Sequence, residues 1–328
     1  MGFNILSLFD GISCGQIALE RAGIKYDNYF ASEIDKYAIK VTQANYPKTI
    51  QIGDVCNIKA SDLPEIDLLI GGSPCQGFSN SGKGLNFDDS RSKLFFEYVR
   101  LLKECNPKYF LLENVRMKKE WSDIISSYLE YKPIKINSAL VSAQNRIRLY
   151  WTNITGVKQP DNKHIFLKDI LETIQFGDWC KIKDKSGIIE IKKIPRYFNK
   201  YIFKVCNVNP SGRGMNGWVY HTNFKCCALS TNKGEGSKIS NDGISYRKLT
   251  PIECERLQTV PDNYTNHVSN AQRYKLIGNG WTVDVIAHIF KNLKGFPEIK
   301  KKITVGLFPL HKILKASKIT TEVVHNWV

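Results

Sequence analysis

Five short apolar runs, separated by helix-periodic segments and closing on a glycine, an acid or a reactive side chain, constrain this chain more than any other feature. They are Ile5-Leu6-Ser7-Leu8-Phe9, Tyr29-Phe30-Ala31-Ser32, Ile50-Gln51-Ile52, Ile66-Asp67-Leu68-Leu69-Ile70 and Tyr109-Phe110-Leu111-Leu112. Their length suits buried strands. Strand, turn and helix repeated in this way specify a doubly wound, Rossmann-like α/β sheet. Ligands of such sheets bind outside the carboxyl ends of the strands. The residues just past those ends therefore share one crevice: Asp10-Gly11-Ile12-Ser13-Cys14-Gly15, Glu33-Ile34, Asp54-Val55, Ser73-Pro74-Cys75 and Glu113-Asn114-Val115.

Each tip carries its own chemistry. The first turn precedes a helix expected from near Gln16 to a stop at Gly23, and a helix N-terminus can hold an anionic group. The spacing is not G-x-G-x-x-G, so a ligand with a carboxylate and a nucleoside suits it better than a dinucleotide pyrophosphate. A tight turn with no ligand is the alternative. Glu33 stands 18 residues beyond Gly15, about where such folds place a carboxylate on ribose hydroxyls. Cys75 arrives at the sheet rim behind Pro74, whose fixed φ stiffens the approach. A nucleophilic cysteine reacts as thiolate in an electropositive setting, whereas most free cysteines are small buried apolar residues. Glu113, at the expected tip of the fifth strand, is placed to hydrogen-bond or protonate a ring nitrogen. Arg146 and Arg148 share one face of an extended segment, which suits a phosphate or a base carbonyl, or else a solvated pair. The polar loop from Gly77 to Lys93, including Ser79, Asn80, Ser81 and Lys83, is a candidate lid over Cys75.

Charge adds a partner class. With 47 Lys+Arg against 31 Asp+Glu, the formal net charge is +16, which favours a polyanion, nucleic acid before membrane. No apolar stretch approaches membrane-spanning length, and the start, lacking a basic flank and a cleavage site, is not expected to act as a signal peptide. The nine cysteines at 14, 56, 75, 105, 180, 206, 226, 227 and 254 are odd in number and form no C-x-x-C. Neither a metal site nor a disulfide framework is expected, and the chain reads as reduced and cytoplasmic.

Taken in order, Phe9-Asp10-Gly11-x-x-x-Gly15, Glu33, Asp54-Val55, Pro74-Cys75-Gln76 with Phe78-Ser79, Glu113-Asn114-Val115, Gln144-x-Arg146-x-Arg148 and Gly278-Asn279-Gly280-Trp281-Thr282-Val283 resemble the motifs of the DNA cytosine-5 methyltransferases. Val141-Ser142-Ala143, Tyr150-Trp151 and Trp281-Thr282-Val283 look closest to the animal de novo branch, while the compact length looks like the stand-alone bacterial or phage enzymes. The resemblance implies S-adenosyl-L-methionine as cofactor. Its methionine carboxylate would meet the turn Phe9, Asp10, Gly11, Ile12, Ser13 and Gly15, its ribose Glu33 and Ile34, and its adenine Asp54 and Val55. Ser73, Pro74, Leu94, Asn279, Gly280 and Trp281 would complete the site. It also implies a double-stranded DNA substrate, a flipped-out cytosine, Cys75 adding to C6, and Glu113, Arg148 and Arg146 holding the base. A cognate restriction endonuclease is a further implied partner.

The expected organisation is a catalytic domain of residues 1–154 plus 278–296 and a smaller, mainly β and loop, target-recognition domain over 155–277. A tail over 297–328 has no assigned role. The last apolar helix, from Val283, is expected beside the first strand. In the middle region Arg213, Asn232 and Lys233 are candidates for reading DNA, with Ser79, Asn80, Ser81 and Lys83. The chain is expected to act as a monomer. Two alternatives stand: a tRNA cytosine-5 methyltransferase, and an inactive paralogue that binds DNA.

Overall fold

A computed structural model describes residues 3–74, 90–173, 180–181, 183–184, 187–188, 201–209, 217–231 and 237–293. The first half alternates as the pattern demands. It runs β1 (Asn4–Leu8), α1 (Cys14–Arg21), β2 (Asn28–Ser32), α2 (Lys36–Asn45), β3 (Ile50–Gln51), β4 (Leu68–Gly71), α3 (Ser90–Cys105), β5 (Tyr109–Val115), α4 (Lys119–Leu129) and β6 (Ile134–Asn137). Then come β7 (Gln144–Asn145), β8 (Ile147–Thr152) and short strands β9 (Cys180–Lys181), β10 (Lys183–Asp184) and β11 (Gly187–Ile188). The chain closes with β12 (Lys204–Asn207), β13 (Trp218–His221), β14 (Cys226–Cys227), β15 (Lys238–Ser240), β16 (Ser245–Lys248), α5 (Pro251–Leu257), α6 (Asn270–Asn279) and α7 (Val283–Phe290).

Seven strands form the main sheet in the order β3-β2-β1-β4-β5-β8-β6. The first five are parallel, and β8 enters antiparallel to both β5 and β6. Alternation along each strand divides the core into two layers. Ile5, Tyr29, Ala31, Leu68, Ile70 and Leu111 look towards α1, α2 and α7. Leu6, Leu8, Phe30, Leu69, Phe110 and Leu112 look towards α3 and α4. Trp151 is fully buried in the second layer, and its ring N–H donates to Ser126 Oγ at 2.9 Å, so burial leaves no polar atom stranded.

Several boundaries differ from the sequence expectation. α1 begins at Cys14, two residues early, because Ser13 takes a left-handed φ of 57° that turns the chain directly into the helix. β5 continues through Glu113 to Val115, so the glutamate lies within the strand rather than at its tip. The extension exists because β8 pairs there, Glu113 opposite Tyr150 and Val115 opposite Arg148. α7 rests on α1, fastened at the surface by Arg21 to Asp284 at 2.7 Å, and shares a core with Ile5 of the first strand.

The second sheet has the order β12-β13-β15-β16-β9, and β10 pairs with β11 as a separate hairpin. A separate two-stranded pairing joins the chain between β13 and β15 to the segment just before β8: β14 pairs in parallel with β7, Cys226 opposite Gln144. The helix after this sheet starts with a reciprocal cap. Thr250 Oγ1 accepts from Glu253 N at 3.1 Å, and Glu253 Oε2 accepts from Thr250 N at 2.8 Å. The same glutamate takes Arg247 in a buried two-bond pair at 2.6 and 2.7 Å. Among the described residues no helix is long and apolar enough to cross a membrane, and no cluster of three or more His, Cys, Asp or Glu is placed to hold a metal.

Removing one side of a buried, doubly hydrogen-bonded ion pair strands the other charge. Glu253→Ala is therefore expected to lower unfolding free energy by about 3–5 kcal/mol in urea denaturation followed by tryptophan fluorescence. The paired Arg247→Met, Glu253→Leu variant should recover the part of the loss that comes from the stranded Arg247 charge, and not the part that comes from the lost acceptor of Thr250 N. A loss below about 1 kcal/mol for Glu253→Ala would show that water reaches the pair.

Candidate active site

The carboxyl ends of β1, β2, β4 and β5 open onto a cleft of about 630 Å³. The parallel strands bring Phe9, Asp10 and Gly11, then Glu33 and Ile34, then Gly72, Ser73 and Pro74, and then Glu113 and Asn114 to its wall. Asp54 and Val55 join from the segment after β3, and Leu94 from α3. The far wall is Leu276, Gly278, Asn279, Gly280 and Trp281, returned from late in the chain. Ile12 and Ser13, also expected at the cleft, are buried behind the turn. Gly15 lies in α1 beneath it, where an added Cβ would sit 2.5 Å from Ile70 Cδ1 and 2.7 Å from Tyr29 Oη.

The carboxylates on the β1–β3 side are held mostly by neutral groups. Glu33 accepts from the backbone amides of Gly11, Ile34 and Asp35 at 2.7 to 2.8 Å, which fixes its carboxylate at the rim. Asp54 accepts from Cys56 N at 3.0 Å. Asp10 accepts hydroxyl bonds from Ser7 at 2.6 Å, from Tyr29 at 2.7 Å and from Ser13. Loss of water around Asp10 pushes its pKa up to about 6 against the opposing effect of those hydrogen bonds. Asp35 alone meets a cation, Lys275 of α6 at 2.8 Å. Ile34 stands three-quarters exposed at the edge, an apolar surface beside the fixed Glu33 carboxylate.

The opposite end carries the guanidiniums. Arg148 Nε meets Glu113 Oε1 at 2.9 Å, both side chains being mostly buried. Arg146 lies between β7 and β8, outside both strands, and lines the cleft with Arg148. Its Nη atoms donate to the backbone carbonyls of Leu229, Gly278 and Gly280 at 3.1 to 3.3 Å, while its buried Nε has no hydrogen-bond partner. Burial and the neighbouring Arg148 pull its pKa down to about 9. Asn114 donates weakly to the Ser73 carbonyl and hydroxyl at 3.3 to 3.4 Å, joining the tips of β4 and β5. Cys75, Ser79, Asn80, Ser81, Lys83, Arg213, Asn232 and Lys233 lie outside the described residues. Pro74 and Thr231, the described neighbours of Cys75 and Asn232, both line the cleft.

Sequence reasoning missed the second layer that holds the far wall. Gln258 Nε2 donates to Ile277 O at 2.9 Å and Gly280 O at 2.8 Å, while its Oε1 accepts from Gln144 and Thr282. Leu229, Ser230 and Thr231 also line the cleft, and no local pattern announces them. Gly278 was visible only as part of a motif. A Cβ there would lie 2.4 Å from the Ser230 carbonyl oxygen, so only glycine lets the two segments meet.

A doubly wound sheet with a nucleoside-sized cleft at its topological edge, acidic at one end and arginine-bearing at the other, defines an α/β group-transfer or cofactor-binding enzyme. The model of the C-5 cytosine-specific DNA methylases matches residues 3–295. The chain belongs to this family of DNA (cytosine-5-)-methyltransferases. It is 32% identical over 305 residues to the type II methyltransferase M.NlaX of Neisseria lactamica, covering 89% of this chain and 96% of that protein. It is 29% identical over 428 residues to the orphan methyltransferase M.SPRI of Bacillus phage SPR, covering 88% of this chain and 97% of that one. Among solved structures, the Entamoeba histolytica methyltransferase EhMeth shares the fold with a TM-score of 0.63 at 19% identity, over 90% of this chain and all of that one.

The close seating of Gly278 gives a stability test. Gly278→Ala places a methyl against backbone and is expected to cost about 1–3 kcal/mol. Gly280→Ala meets its nearest atom, Cys14 Sγ, at 3.3 Å and should cost less. Thermal denaturation ranks the two, and equal melting temperatures would contradict the contact between residue 278 and Ser230.

Proposed function

We propose that the chain methylates C5 of a cytosine turned out of double-stranded DNA, with S-adenosyl-L-methionine as donor and Cys75 as covalent nucleophile. The observation that carries this reading is the Glu113–Arg148 pair, which faces the same cleft as Glu33, Asp54 and Trp281 and lies beside the end of β4 that leads through Gly72 and Ser73 to Pro74, the residue before Cys75. The residues present fit the donor. Glu33, already oriented by three amides, suits ribose hydroxyls; Asp54 suits the adenine amine; Ile34 and Trp281 supply apolar surface. Gly11, at φ +61° with no atom within 4 Å of an added Cβ, leaves the first turn open for the amino-acid part. When bound, the donor supplies an electrophilic sulfonium methyl.

The protein's own task is to make C5 reactive. The Cys75 thiolate adds to C6, which moves electron density through the ring to C5. Glu113 accepts from the exocyclic amine and hands a proton to N3 as negative charge develops there, taking it back when Cys75 leaves, and Arg148 holds the O2 carbonyl. The Arg148 contact also keeps Glu113 oriented before substrate arrives. After methylation, loss of the C5 proton to water expels Cys75 and restores the aromatic ring. C6 is inaccessible in a stacked duplex, so the cytosine leaves the helix at a cost of a few kcal/mol. Ser79, Asn80, Ser81 and Lys83 would follow the DNA from the nucleophile side and Arg213, Asn232 and Lys233 from the recognition side. The cleft position of Thr231 supports the second placement. A restriction endonuclease of the same site specificity would be the functional partner.

Purified protein, labelled S-adenosylmethionine and unmethylated plasmid DNA should yield labelled 5-methyldeoxycytidine. Cys75→Ala should abolish the label. Glu113→Gln should bind DNA normally while transferring methyl groups at least about a hundredfold more slowly. Label found in bulk tRNA alone, or transfer that survives Cys75→Ala, would overturn the assignment.

A further inference from the structure

Two polar atoms of the cleft converge over Gly72. A Cβ built on that glycine would meet Trp281 Nε1 at 3.0 Å, Glu113 Oε2 at 3.2 Å and Trp281 Cε2 at 3.6 Å. The indole N–H and the carboxylate oxygen therefore stand no more than about 6 Å apart, a gap that one bridging water spans. Each is the uncommitted atom of its group. Arg148 Nε occupies Glu113 Oε1 at 2.9 Å, and no donor among the described residues reaches Oε2. No described residue accepts the indole N–H of Trp281 either, whereas the indole of Trp151 is satisfied by Ser126. The main chain aims Trp281 at this point. Its backbone amide donates to Cys14 Sγ. The preceding carbonyl, Gly280 O, takes Arg146 Nη2 at 3.1 Å and Gln258 Nε2 at 2.8 Å. The following hydroxyl, Thr282 Oγ1, accepts from Ser138 Oγ at 2.9 Å and donates to Gln258 Oε1 at 2.8 Å. An apolar wall for a cofactor needs neither this fixity nor an N–H.

We propose that Trp281 is a positioning residue for methyl transfer: its indole N–H donates to a water over Gly72, and that water donates to Glu113 Oε2. Arg148 then holds one carboxylate oxygen and Trp281 the other, so the plane of the carboxyl group is fixed before a base arrives. A carboxylate oxygen accepts two donors, which leaves Oε2 able to serve the water and the cytosine edge together. A group oriented in advance needs no reorganisation when charge develops on the ring. Glycine at 72 suits this arrangement, because a side chain there would wedge between indole and carboxylate. The role rests on the reading of Glu113 as the group that meets cytosine. It gives the wall beside the methyl donor a part in holding the acid beside the base.

The test compares the full chain with Trp281→Phe and with an isostere at residue 281 in which sulfur replaces the indole N–H (3-benzothienylalanine, placed by codon suppression). The isostere keeps the shape of the ring and removes only the donor. Initial rates of labelled methyl transfer to unmethylated plasmid DNA give kcat and the KM for S-adenosylmethionine, and calorimetry gives the affinity for S-adenosylhomocysteine. Both variants are expected to lose about tenfold in kcat, the lower end for a hydrogen bond to a charged group. The isostere should keep KM and S-adenosylhomocysteine affinity within about twofold of wild type. In Glu113→Gln the amide oxygen turns to Arg148 and the NH2 cannot accept from the water, so there the isostere should cost no further rate. An unchanged kcat in the isostere, a loss carried entirely by KM, or an equal loss in the Glu113→Gln background would overturn the role of Trp281 and leave the methyltransferase reading standing. Wild type that forms no 5-methyldeoxycytidine would remove both.

Discussion

The cleft depends on a buried polar seam more than on any apolar contact. Gln258, Gln144, Thr282 and Ser138 bond to one another in series, and Gln258 also grips the carbonyls of Ile277 and Gly280. Arg146 adds three further bonds to carbonyls of Leu229, Gly278 and Gly280. Apolar packing tolerates sliding, whereas a seam of buried hydrogen bonds permits one register, because every unmade bond leaves a desolvated group. Trp281 is consequently held close over Gly72: a Cβ on Gly72 would lie 3.0 Å from the indole nitrogen and would press on the ring.

Strand direction sets how one fold serves two chemistries side by side. The parallel strands β1 and β2 deliver carboxylates to one end of the cleft. At the other end, β8 runs against β5, so the start of β8 and the end of β5 coincide. Antiparallel entry is what puts Arg148 next to the Glu113 carboxylate, since a parallel strand would deliver its carboxyl end there instead. The opposite charges of the two ends follow from strand direction.

The sequence made the parallel core legible because its information is local. Apolar runs of strand length, the glycines of the first turn, and Glu33 at its interval from Gly15 each speak through near neighbours. Thirteen of the sixteen residues expected to meet the cofactor line the cleft, whereas Ile12, Ser13 and Gly15 are buried behind its wall. The extent of β5 was not legible, since its last residues are strand only by pairing with β8. The orientation of Arg146 was hidden for the same reason. Its partners are 83 to 134 residues away, and nothing in Gln144-Asn145-Arg146 distinguishes a guanidinium turned to carbonyls from one offered to phosphate. Gln258 stands in an unremarkable helix end, and its role appears only when four segments meet.

The far wall of the cleft also sets when the site can come into being. Residues 278–282 must cross back to strands formed by the first third of the chain, and such long-range closures are slow relative to local helix and hairpin formation. During synthesis the amino-terminal strands emerge first and can associate early. The Glu33 rim and the Glu113 strand can thus assemble while the Trp281 wall is still being translated. A chain interrupted anywhere before residue 278 lacks the partner of Arg146 and the grip of Gln258, and cannot enclose a ligand. Closure of the cleft is therefore a property of a chain translated through residue 282.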